Sequence, residues 1–224
     1  MEARYRKDYV GEFVIIESKW SGGKKTENRE WIPNPIENQH ISGRAVCINK
    51  DPNAIHEPVK FDYRVLQRHK GGLLGSKKVQ TYGTGDIAAE MRLDFAVETD
   101  GVKLSELMST DYQTNNIVYT TARNCVRYPG NFYLIPYKQI MTDMATAVYL
   151  AAFDGHKEIF LIGYNDLVDP GQKDWVRQIT AIFSSYTGTL FHLVGEQARM
   201  YDDWLNCANV RAMDYNQFIA YADV

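Results

Sequence analysis

Four short polar stretches in this sequence could carry chemistry, and each directly follows a segment that reads as a strand. They are Asn49-Lys50-Asp51-Pro52-Asn53, Gly83-Thr84-Gly85-Asp86, Glu98-Thr99-Asp100-Gly101 and Gly163-Tyr164-Asn165-Asp166. Asn, Asp and Pro build tight turns that expose backbone N–H groups, a surface suited to phosphate. Asp51 or Asn53 could equally cap a following helical turn. The carboxylates of Asp86, Asp100 and Asp166 could take a proton from an acceptor, while Lys50, Lys77 or Lys78 could stabilise a departing phosphate. Residues 163–166 serve equally well as a plain strand-to-loop exit.

The elements that would position these stretches are legible around residues 146–165. An alanine-rich helix, with small residues at Ala145, Ala147, Ala151 and Ala152, ends at Gly155, a residue suited to the left-handed turn after a helix. The unbroken apolar run Ile159-Phe160-Leu161-Ile162 follows. A strand apolar on both faces belongs inside a parallel sheet covered on each side by helices. Arg44 to Ile48 reads as the first buried strand, Val79 to Tyr82 as the second, Asp94 to Val97 as the third and Ile117 to Thr120 as the fourth. Asn131 to Ile135 reads as a further extended segment, Leu190 to Val194 as another strand, and Val210 to Met213 as an edge strand. Helices are expected over 105–108, 175–183 and 196–205, with a final turn at Phe218-Ile219. The expectation is therefore an α/β domain with a doubly wound, mostly parallel, Rossmann-like sheet over residues 43–224. In such sheets ligands sit outside the carboxyl ends of the strands, where all four polar stretches would lie.

Residues 1–42 read differently. Phe13 to Ile16 and Glu30 to Ile32 flank a polar, lysine-tipped centre at Ser21-Gly-Gly-Lys-Lys25, the pattern of a β-hairpin closed by Pro33-Asn34-Pro35. An isolated hairpin is marginal in water, so its apolar residues are expected to pack on the main domain or on a second copy, which leaves room for a homo-oligomer.

Composition narrows the function classes. At 224 residues, with 45% hydrophobic and 24% charged residues, the chain can bury one substantial core. A net charge of −3 gives no duplex-DNA footprint. No apolar run reaches membrane-spanning length, and the first residues lack a signal-peptide core. Cys47, Cys125 and Cys207 are far apart and suggest reduced thiols in a cytoplasmic setting. The five histidines are scattered without zinc-ligand spacing, so no metal is expected. His156 follows a helix end that favours its protonated form, but it stands at the start of a strand, opposite the ligand edge. The phosphate-cradling Walker loop, the Gly-x-Ser-x-Gly elbow and His-Glu-x-x-His are all absent.

Taken together, Ala45-Val-Cys-Ile-Asn-Lys-Asp-Pro-Asn53, Tyr82-Gly-Thr-Gly-Asp86 and the alanine-rich helix leading into Gly155 to Asn165 resemble the Rossmann-like bacterial sialyltransferases and the related pterin-pyrophosphokinase-like proteins. The resemblance spans about residues 43–167. Where that group has Gly-Pro-Ser in the first loop, this chain has Asp51-Pro52-Asn53. Gly85 stands where the group has Asn, and Asn165 replaces its acidic residue, with Asp166 one position on. The Tyr-rich composition and N-terminal hairpin also resemble proteins of large tailed bacteriophages, which would put the chain in the host cytoplasm. The resemblance implies a nucleotide-dependent transferase that moves a glycosyl group from a nucleotide sugar, with no cofactor beyond that donor. Asn49, Lys50 and Asn53 would meet the nucleotide, Thr84 and Asp86 the donor or acceptor ring, and Tyr164, Asn165 and Asp166 would close the site. The alternative is a non-catalytic nucleotide-binding or structural protein that keeps the fold.

Overall fold

The structure, a computed structural model, describes residues 5, 11–33, 43–49, 79–137, 141–164, 174–195 and 201–222. A two-stranded antiparallel hairpin comes first, β1 (Gly11–Ser21) and β2 (Lys24–Pro33). The remaining strands form one sheet: β3 (Arg44–Ile48), β4 (Gln80–Thr84), β5 (Phe95–Val97), β6 (Ile117–Thr120), β7 (Tyr133–Leu134), β8 (Glu158–Ile162), β9 (Leu190–Val194) and β10 (Val210–Met213). Their order is β10-β9-β8-β3-β4-β5-β6-β7, and every neighbouring pair is parallel. Four strands therefore build outward from β3 on one side and three on the other, which is the doubly wound Rossmann-like arrangement that the buried apolar runs predict.

Strand alternation divides the core cleanly. Ala45, Cys47, Ile159, Leu161, Phe191 and Leu193 face one layer, while Val46, Ile48, Phe160, Ile162 and Val194 face the other. The first layer is covered by α5 (Asp143–Phe153), α6 (Asp174–Ser185) and α7 (Asp202–Leu205). The second is covered by α1 (Gly85–Ala88), α2 (Gly101–Ser109) and α8 (Tyr215–Ala222). Two short helices, α3 (Tyr112–Asn115) and α4 (Ala122–Arg127), flank β6. Helix α5 lies across β3, β4, β5 and β8 and packs against α6. Its alanines are buried because both faces are covered, so the helix carries no polar stripe. It ends in a Schellman motif, with the Gly155 N–H donating to Ala152 O and the His156 N–H to Ala151 O. Among the described residues no helix is long and apolar enough to cross a membrane.

Several boundaries move from the sequence expectation. Strand β4 continues through Gly83, which is squeezed between Leu93 and the carbonyl of Ile48, a close approach that glycine alone permits. Helix α2 begins at Gly101 rather than Ser105, because Asp100 caps it through the N–H groups of Val102 and Lys103. The tail ends in a full helix, α8, not a turn. The helix expected over 196–205 is described only from Asp202. Both hairpin strands outrun their apolar segments. Trp31 meets Tyr5 edge-on and packs on the core, whereas Phe13 and Ile15 do not pack on the main domain and stay exposed in the single chain.

Candidate functional site

The carboxyl ends of β8, β3, β4 and β5 lie side by side, spanning about 14 Å at normal strand spacing. The strand order reverses between β3 and β8, so this is the topological switch point. Asn49 leaves β3 here and is tied to β8 twice: its N–H donates to Ile162 O at 2.9 Å and its Nδ2 to Gly163 O at 3.1 Å. Gly163 has a φ of +77°, and a Cβ on it would overlap the carbonyl oxygen of Asn49. The junction can close only with glycine at that position. Tyr164 turns into the core, where its buried hydroxyl donates to Met144 O at 3.0 Å and burial pushes its pKa well up. Lys50, Asp51, Asn53, Lys77, Lys78, Asn165 and Asp166 lie outside the described residues.

A second polar array occupies the exits of β4 and β5. Thr84 takes the N-cap position of α1 and is buried. Asp86 is exposed and receives two hydrogen bonds from Lys103 Nζ, both 2.8 Å, and this partner holds the Lys103 pKa above its ordinary value. Asp100 accepts the Val102 and Lys103 N–H groups, which hold its pKa below the usual range and make it a weak base. Thus Asn49, Thr84, Asp86 and Asp100 do share one sheet edge, as the parallel strands require, whereas the Tyr164 side chain turns away from it.

Glu98, which the sequence reading names within a strand exit but gives no role, stands at the centre of this array. It follows β5, is only 2% exposed, and accepts the Asp100 N–H at 2.8 Å. Gly85 packs directly on its carboxyl, since a Cβ there would overlap Glu98 Oε2. Asp143, in the first turn of α5, faces it and accepts from Thr99 Oγ1 at 2.6 Å and from the Thr99 N–H at 3.1 Å. Desolvation first, then the Asp143 carboxylate, pushes the Glu98 pKa up to about 7, against the opposing pull of the Asp100 N–H and Lys103. The exit of β6 is tied to the same cluster, as Asn124 Nδ2 donates to Thr99 O and Thr120 Oγ1. A carboxyl that titrates near neutrality among charged neighbours is a group equipped to hold or pass a proton. Its signal in the sequence is faint: a carboxylate at a strand exit, and an Asp that opens an alanine-rich helix 45 positions later.

The raised pKa sets a pH window for stability. Below about pH 4.5 Glu98 is protonated in folded and unfolded chains alike. From there to about pH 7 the unfolded chain has released this proton while the folded one still holds it, so stability falls as pH rises. Glu98→Gln should remove the fall and leave the variant about 3 kcal/mol more stable than the wild type at pH 8. Denaturant titrations of both proteins across pH 4–8 read this directly, and a difference that stays constant with pH contradicts it.

His156 is buried at the opposite end of the sheet, with its Nε2 3.0 Å from the Tyr82 hydroxyl, which donates to Asp154 Oδ2 at 2.6 Å. This network joins the end of α5 to β4 and stands apart from the strand exits. Among the described residues no group of His, Cys, Asp and Glu side chains is arranged to hold a metal ion. Compared with family models, with curated proteins and with solved structures, the chain matches none of them.

Proposed function

We propose that the chain is a nucleotide-dependent transferase that moves a glycosyl group from a nucleotide sugar. The observation that carries this reading is the switch point between β3 and β8, the position at which doubly wound sheets take nucleotides, beside a row of carboxyl groups at the next two exits. The nucleotide would lie over Asn49 and Gly163, and Lys50, Asn53 and Asn165, which follow the same two strands in sequence, would bind it. Its sugar would then reach toward Thr84 and Asp86. In the transfer, an acceptor hydroxyl oxygen attacks the anomeric carbon and its proton passes to a carboxylate. The bond from that carbon to the phosphate oxygen breaks, and the nucleotide leaves with the electron pair. Of the described carboxylates Asp86 suits the base role, being exposed and held in place by Lys103; Asp166 is the other candidate. The resemblance to sialyltransferases supports the choice of donor.

The alternative, a non-catalytic nucleotide-binding or structural protein, is favoured by one observation. The Asn49 amide and the Asp100 carboxylate are both committed to internal hydrogen bonds. A thermal-shift series with nucleotides and nucleotide sugars separates the outcomes. A ligand at a hundredfold excess over its Kd stabilises by about 2.7 kcal/mol. Asn53→Ala and Asn165→Ala should lose that gain and keep the unliganded Tm. If no nucleotide or nucleotide sugar raises the wild-type Tm, the transferase reading falls. A rise without product formation, followed by chromatography of the donor, selects the non-catalytic reading.

A further inference from the structure

The N-terminal hairpin presents an unpaired edge whose charges are complementary to themselves. Among the described residues β1 pairs with β2 alone, so the other edge of this 11-residue strand carries no partner. A β-bulge at Ile16 shifts the alternation: Ile15 pairs with Arg29 and Glu17 with Asn28. In consequence Phe13, Ile15, Ser18 and Trp20 fall on one face, although an unbroken strand would turn Trp20 away from Phe13 and Ile15. Three of these are large apolar side chains left in solvent, Phe13 at 69%, Ile15 at 45% and Trp20 at 73% exposed. Glu12, Glu17 and Lys19 fall on the other face. A long, open, partly apolar edge strand is a template for a further strand, and a lone two-stranded hairpin is only marginally stable.

We propose that a second copy of this chain pairs with that edge, β1 against β1 in antiparallel sense about a two-fold axis, to form a four-stranded sheet. The exposed apolar residues point to the β1 edge, and its charges admit a self-complementary register. If Glu12 lies opposite Lys19 of the second copy, Lys19 lies opposite Glu12 by symmetry, Phe13 meets Ser18, and Trp20 meets Gly11. Every such pair keeps its two members on one face, and no like charges meet. The bulge makes this possible, since positions 12 and 19 would otherwise point to opposite faces. Along β1 the paired sheet gathers Phe13, Ile15 and Trp20 of both copies into one apolar strip and carries each lysine-bearing tip toward the base of the other hairpin.

Charge reversal tests this in the full chain. By sedimentation velocity at low salt, the wild type should show a concentration-dependent dimer. Glu12→Lys and Lys19→Glu should each weaken the dimer about tenfold, because two cross-strand pairs turn repulsive. Mixing the two variants should restore it, since both pairs of the mixed dimer are attractive, and the double variant should dimerise like the wild type. Both positions are exposed, so neither change threatens the fold. A wild type that stays monomeric at high concentration overturns the proposal. So does a dimer that ignores both single variants, or a mixture no tighter than its components.

Discussion

Gly163→Ala is expected to destabilise the protein by about 3 kcal/mol or more. Two costs add at this position. A residue with a Cβ pays about 1–2 kcal/mol to hold the left-handed conformation that a φ of +77° demands. The new methyl also collides with the carbonyl oxygen of Asn49, a backbone atom that cannot rotate away as the end of a side chain could. Overpacking of this kind costs typically 1–3 kcal/mol. Relief would require the exits of β3 and β8 to part, which breaks the hydrogen bonds from the Asn49 N–H and Nδ2. Gly188→Ala is the control, because a Cβ there meets nothing within 4 Å. It should shift stability by no more than about 0.5 kcal/mol. Equal unfolding free energies for the two variants would mean that the β3–β8 junction is looser than described.

Leu161→Ala should cost about 2–5 kcal/mol, the range for a leucine removed from a packed core. Leu161 is fully buried in the central strand β8, between β3 and β9, on the face that α5 and α6 cover. Its neighbours cannot collapse into the space, since the alanines of α5 already lie against the sheet. Urea unfolding with an unchanged m-value would read the loss cleanly. A cost under about 1 kcal/mol would put Leu161 in a site that relaxes, at odds with its burial.

The sheet was legible because burial on both faces leaves a mark in one dimension. Ile159 to Ile162 and Ala45 to Ile48 are apolar without interruption, and only a strand with helices above and below it requires that. The charged clusters were harder, because one residue type serves different ends. Asp100 reads as a candidate base and caps a helix instead, a role fixed by the two N–H groups that follow it. Helix α2 was foreshortened for the same reason, its first residue being a glycine, which sequence alone assigns to a turn. Glu98 was out of reach. Its raised pKa depends on Asp143, which arrives through the position of α5 over β5, and on Gly85, whose missing side chain lets the carboxyl lie beneath it. None of these neighbours is adjacent in the sequence. In the hairpin, pairing runs on through Lys, Thr and Asn residues that show no apolar alternation, so its full length was hidden too.

The position of β3 at the centre of the sheet also bears on how the chain is made. Its partner β4 follows within about forty residues, and β5, β6 and β7 then add in turn on the same side. Its other partner, β8, pairs Glu158 with Arg44, 114 positions later. At synthesis rates of about 5–20 residues per second, that flank of β3 waits roughly 6–23 s on the ribosome. Until then the flank of β3, whose residues 45–48 are apolar on both faces, has unpaired backbone groups that can template pairing with another chain. Pausing or truncation between residues 137 and 158 should therefore yield aggregates, whereas the full chain, with β8 in place, should not.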